Sequence, residues 1–124
     1  MSSGRGRSRG KPAPALEGLR PILDGLSDRK AVHVVVLDLR GLSEATDFFV
    51  IASGTSDAHV RGMADHLMSL NGVGRPHHVE GLTQGRWVLL DYVDFVVHLF
   101  HPELRDFYQL ERLWGEAPVV AVGE

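Results

Sequence analysis

With 124 residues, 44% of them hydrophobic and 23% charged, the chain has material for one domain around one core. It has no cysteine, which excludes disulfides, thiol catalysis and thiolate metal sites, and no apolar run long enough for a membrane span or a signal-peptide core, so an intracellular protein is expected. The formal net charge of −3 hides an asymmetry: Arg5, Arg7, Arg9 and Lys11 are four of the 13 basic residues, and the other nine stand against 16 acidic ones, leaving −7 on residues 12–124. An acidic domain is a poor direct ligand for a nucleic-acid backbone and a good one for a basic protein.

Residues 1–15 are Gly, Ser, Arg and Pro with almost nothing apolar, and are expected to form a disordered basic tail whose contact with RNA is at most peripheral. Leu16, Leu19, Leu23 and Leu26 fall at helical spacing up to Asp28. That predicts a first helix, short or kinked, because Pro21 is tolerated only in a first turn and Gly25 weakens an interior. The valine-rich run Val32–Leu39 predicts a strand, Gly41 and Ser43 turn the chain, and Phe48–Ala52 predicts a second strand paired with the first as an antiparallel hairpin.

Ser53–Asp57 then reads as a strand-to-helix elbow, with Thr55 or Ser56 as N-cap. A glycine, small hydroxyls and a helix N-terminus also describe a phosphate cradle. Neither GxxxxGK[ST] nor GxGxxG occurs here, however, and Asp57 puts a negative charge where the anion would sit, so a capped connection is the favoured reading. Val60, Met63, Ala64, Leu67 and Met68 lay one apolar stripe along the following helix, which runs to about Leu70 and stops at Asn71-Gly72. His77–Glu80 predicts a short edge strand, and Arg86–Asp91 and Phe95–Phe100 predict two more around Tyr92-Val93-Asp94. Pro102 opens a final helix through Leu113-Trp114, and residues 115–124 are expected to be a loose tail. The order predicts an α/β domain: a single mixed sheet with helices packed on it.

Motifs for catalysis are weak. Of the seven histidines, His77 and His78 diverge on a strand, His98 and His101 lie at the end of another, and His59 and His66 are about 10 Å apart along one helix, so no metal site is expected. Asp91 and Asp94 suggest a magnesium-dependent nucleotidyltransferase-type site, to which Asp38 and Asp47 would add if they met at the same sheet end; a turn aspartate more often caps its own backbone. There is no GxSxG for serine hydrolysis. On the final helix Leu104, Phe107, Tyr108, Leu110 and Trp114 share about half the circumference, with Glu111 among them. That face is either core or an interface, and with Trp87 it points to a binding surface that takes in Arg86, Trp87, Tyr92 and Asp94.

Leu42-Ser43, Thr46-Asp47, Phe49–Ser56, His59-Val60 and Ala64-Asp65, followed by Glu80-Gly81, Trp87, Leu90-Asp91, Asp94, Val97-His98, Arg105, Tyr108, Leu110-Glu111 and Leu113-Trp114, resemble the ribosomal silencing factors, or Iojap-like proteins, over residues 16–114. The resemblance implies a nucleotidyltransferase-like fold without catalytic residues, no cofactor and no enzymatic activity. It implies a cytoplasmic translational repressor that binds the large ribosomal subunit through a basic ribosomal protein, number fourteen of that subunit, and blocks joining of the small subunit under nutrient limitation. A large-subunit assembly factor is the alternative, and the free form is expected to be a homodimer. Carried over by position, Trp87, Asp91, Asp94, Arg105 and Tyr108 are the expected partner-binding residues, while His59 and Asp65 are expected to be structural.

Overall fold

A computed structural model describes residues 16–103 and 117–123. After a turn at Leu16–Leu19, helix α1 spans Arg20–Asp28, shorter than the leucine spacing predicts because Pro21 sits in its first turn. Strands β1 (Val32–Asp38) and β2 (Phe48–Ser53) follow, then helix α2 (Asp57–Met68) and strands β3 (His78–Glu80), β4 (Trp87–Asp91), β5 (Phe95–Phe100) and β6 (Val119–Gly123). They form one six-stranded sheet in the order β3-β4-β5-β2-β1-β6. β2 runs parallel to β5, and all other neighbours are antiparallel, so the sheet is mixed as expected.

The predicted hairpin is present, with Asp38 opposite Phe48 and Val36 opposite Val50. Both helices pack on one face of the sheet, where Ile22, Leu26, Val60, Met63 and Leu67 meet Val36, Phe48, Val50, Leu90, Val97 and Leu99. Gly25 suits that packing: a Cβ there would stand 2.9 Å from Leu67 Cδ2 and 3.1 Å from Leu70 Cδ1, so a larger residue would require those leucine side chains to shift. Alternation along the strands sends Val35, Leu37, Phe49 and Ile51 to the opposite face, where they cluster with Leu39, Phe100 and Ala117. Among the described residues no helix is long and apolar enough to cross a membrane.

One expectation fails. The end of the chain is not loose, because Val119–Gly123 pairs with β1 as an edge strand, Leu37 opposite Val119 and Val35 opposite Val122. Pro118 stands just before the strand, where its missing N–H is not needed, and its carbonyl accepts from Asp38 N at 2.9 Å. The basic tail predicted for residues 1–15 and the helix predicted from Pro102 to Trp114 fall largely or wholly outside the described residues.

Removing residues 119–124 should leave β1 paired on one edge only. At ~1 kcal/mol per ladder hydrogen bond, the expected loss of unfolding free energy is roughly 2 kcal/mol or more. A urea midpoint equal to that of the full chain would show that β6 contributes no stability.

Candidate functional site

The Ser53–Asp57 elbow spends its donors on itself. Ser56 is the N-cap, its Oγ accepting from His59 N at 3.0 Å. The Thr55 N–H donates to His59 Nδ1 at 2.8 Å, and the other nitrogen of that ring, Nε2, donates to the Arg29 carbonyl at 2.6 Å. Gly54 N–H is taken by the Phe100 carbonyl at 2.9 Å. His59 thus ties the end of α1 to the start of α2, a structural role, and the elbow is a capped connection whose Gly54, Thr55 and His59 N–H groups are already bonded.

The four aspartates considered for catalysis do lie at one end of the sheet. Asp38 pairs with Phe48 across the hairpin, and Asp47 N donates to the Asp94 carbonyl at 2.9 Å. Two of their carboxylates are engaged locally. Asp38 receives Arg40 Nε at 2.9 Å and Nη2 at 2.7 Å, and that hydrogen-bonded guanidinium holds its carboxyl below the usual carboxylate range. Asp91 Oδ1 accepts from the Val93 N–H at 2.8 Å, capping its own turn. Among the described residues no three His, Asp or Glu side chains are grouped so as to hold a metal ion.

The remaining feature of note is aromatic. In β4, Val88 and Leu90 point into the helix-side core, so Trp87, Leu89 and Asp91 share the opposite face. Trp87 is 46% exposed. Its position is set by the loop before it: Gly81 has φ +80°, and a Cβ there would run into the Trp87 carbonyl, while Gly85 N–H bonds the Gly81 carbonyl at 3.0 Å and Arg61 Nη1 holds the Gln84 carbonyl at 3.2 Å. The indole lies with its ring centre 5.0 Å from that of Phe100, and its Nε1–H donates to His98 Nδ1 at 3.2 Å.

His98 is only 4% exposed, with Phe49 edge-on at 4.6 Å and Phe100 near-parallel at 6.3 Å. Burial pushes its pKa down to about 4, so the ring is neutral at pH 7. Because Nδ1 accepts from Trp87, the single ring proton resides on Nε2, which is buried and has no hydrogen-bond partner among the described residues.

The acids nearest Trp87 in the sheet and its flanks are paired with basic side chains. Glu80, opposite Leu89, is paired with His78 at 2.6 Å, and Glu103 stands 4.0 Å from Arg86. Trp87 and Asp91 therefore share one face about 13 Å apart along β4. Asp94 is exposed in the turn beyond Asp91, beside Val93, which is 49% exposed and has φ +77°. Arg105 and Tyr108 lie outside the described residues. Tyr92, expected at the binding surface, is instead buried in the helix-side core and stacks on Phe95 at 4.7 Å, because the tight turn at Val93 directs it inward. His98 is the residue that sequence reasoning missed. The signal was its strand parity, which places it on the same face as Phe100 and, through the pairing of β4 with β5, beside Trp87.

A sequence model of the family described as ribosomal silencing factor during starvation matches residues 12–124. The ribosomal silencing factor RsfS of Halalkalibacterium halodurans is 41% identical over 107 residues, covering 84% of this chain and 91% of that one. A mouse protein named mitochondrial assembly of ribosomal large subunit protein 1 is 34% identical over 94 residues, 72% of this chain but 41% of the mouse protein. A crystal structure from Bacillus halodurans superposes with a TM-score of 0.74 at 38% identity, covering 86% of this chain and 98% of that one.

Neutral burial of His98 has a measurable consequence. As pH falls below about 6.5 the unfolded chain takes up this proton, whereas the folded chain does so only near about 4. Stability from this group is therefore full above pH 6.5 and is lost on the way down, by about 1.4 kcal/mol per pH unit. Denaturant titrations between pH 7 and pH 4 should show that slope, and His98→Phe should flatten it. An equal slope in the variant would mean that the group titrates normally in the fold.

Proposed function

The chain belongs to the ribosomal silencing factor family, and on that premise we propose that it is a non-enzymatic translational repressor acting in the cytoplasm. It binds the large ribosomal subunit through a basic ribosomal protein, number fourteen of that subunit, and its bulk then stands where the small subunit would join. The observation that carries this reading is the exposed aromatic on the sheet face opposite α1 and α2: Trp87, half exposed over Phe100 and His98, with Asp91 about 13 Å along the same strand and Asp94 in the turn beyond it. A tryptophan seated on a rigid apolar base supplies binding energy, and carboxylates at the far end of the same strand select and steer a basic partner. Asp91 serves this role through position and charge, since one of its oxygens already caps the Val93 amide.

A second reading, assistance in large-subunit assembly, is favoured by the likeness to the mouse protein named for mitochondrial large-subunit assembly. It uses the same surface, and the two readings differ only in the consequence of binding.

Sucrose-gradient sedimentation of purified large and small subunits, with and without the protein, separates them. Co-migration with the large subunit together with loss of joined ribosomes is the expected result, and co-migration with joining intact would favour assembly. Trp87→Ala combined with Asp94→Lys should weaken large-subunit binding by roughly tenfold or more while leaving the thermal midpoint nearly unchanged, since both side chains are exposed. Full binding by this folded variant would move the interface elsewhere.

A further inference from the structure

We propose that His98 is the positioning residue for Trp87: its Nδ1 accepts the indole N–H and fixes the plane in which the ring is presented to the partner. This role presupposes that Trp87 contacts the partner, as proposed above.

The neighbours of His98 are the rings of Phe49 and Phe100 and, across the strand pairs, Ile51 and Leu89. A phenylalanine or leucine would suit such surroundings and would leave nothing polar to desolvate. Histidine brings two ring nitrogens into a place where Nε2 has no hydrogen-bond partner among the described residues, and a buried unpaired donor opposes folding. The ring therefore stands there at the expense of stability, a pattern typical of functional positions. Its Nδ1 accepts a hydrogen bond from outside the core, from the half-exposed Trp87 at 3.2 Å.

For Trp87 that bond is decisive. An indole at the rim of a sheet has its N–H free to turn toward water, and the ring with it. Phe100 supports the ring at a centroid distance of 5.0 Å but, being apolar, does not distinguish one in-plane orientation from another. The acceptor beneath it does. An anchor ordered before it meets its partner loses less conformational freedom on binding. The acceptor must also be uncharged, which the apolar surroundings of His98 impose, and it holds its proton on the far nitrogen because Nδ1 is taken by the indole N–H.

The test uses the full chain and purified large subunits, with equilibrium affinity and thermal midpoint measured together for His98→Phe, Trp87→Phe, the double variant and Trp87→Ala. His98→Phe keeps a ring in place and removes only the acceptor; it should melt no lower than the parent and yet bind about fivefold more weakly, the effect of one lost hydrogen bond. A residue that merely supports the fold would not lower affinity while stability is kept. Adding His98→Phe to Trp87→Phe should produce no further loss, because the donor is already gone.

Parental affinity in His98→Phe, alongside lost binding in Trp87→Ala, would overturn the positioning role and leave the Trp87 anchor standing. Parental affinity in Trp87→Ala would remove the anchor, and the positioning role with it. Additive losses in the double variant would also overturn the proposal. Trp87→Phe deletes the donor from the exposed side without entering the core, so parental affinity there overturns the proposal even where His98→Phe does not fold.

Discussion

β2 is hydrogen-bonded along both edges, to β1 and to β5, and buries side chains on both of its faces. A strand so placed needs apolar cover above and below, and this requirement spreads to its neighbours through the pairing register. On one side Phe48, Val50 and Ala52 are sealed by the two helices. On the other, Phe49 and Ile51 extend an apolar surface to Val96, His98 and Phe100 on β5. That second surface makes the aromatic site possible. Ile51 lies opposite His98, so the dryness around the central strand is also what keeps the imidazole neutral and able to accept from Trp87.

Charge and aromatic surface divide the work at this site. Asp38, Glu80, Asp91 and Glu103 each have a local partner, respectively Arg40, His78, the Val93 amide and Arg86, whereas Asp94 is exposed in its turn. Carboxylates fixed in this way are poorly arranged to converge on a metal, and since Arg40 and Arg86 offset Asp38 and Glu103, the negative field comes mainly from Asp91, bonded to an uncharged amide, and from Asp94. At exposed positions such a field is weakened by salt and acts more on encounter rate and choice of partner than on the strength of the final complex. Affinity then depends on the indole and the apolar floor under it.

Much of this was legible in the sequence because the signals were local. The valine run, the Phe48–Ala52 run and the hydroxyls before Asp57 each point to one element, and the hairpin and the capped elbow follow from them. The features that escaped depended on distant partners. Val119-Val120-Ala121-Val122 is a short run behind Gly115 and Pro118, and becomes a strand only because β1 has a free edge far back in the chain. Tyr92 sits beside a turn whose tight geometry at Val93 sends it inward, and composition does not encode that direction. Whether Trp87 faced in or out was open for a related reason: period-two alternation says which residues share a face, but the helix side is decided by α1 and α2.

The parallel pairing of β2 with β5 also sets an order of events during folding. Phe48 and Phe95 are register partners 47 residues apart, with α2, β3 and β4 between them, whereas β1 and β2 are joined by a short loop. Closing the shorter loop loses less chain entropy, so the hairpin forms before the centre of the sheet is complete. Until β5 docks, Phe-Phe-Val-Ile-Ala-Ser has one edge of backbone donors and acceptors open and apolar side chains on both faces. Such an edge pairs readily with another of its kind. Docking of β5 is therefore the step that closes this edge, and α2 lies within the crossover that brings β5 to it.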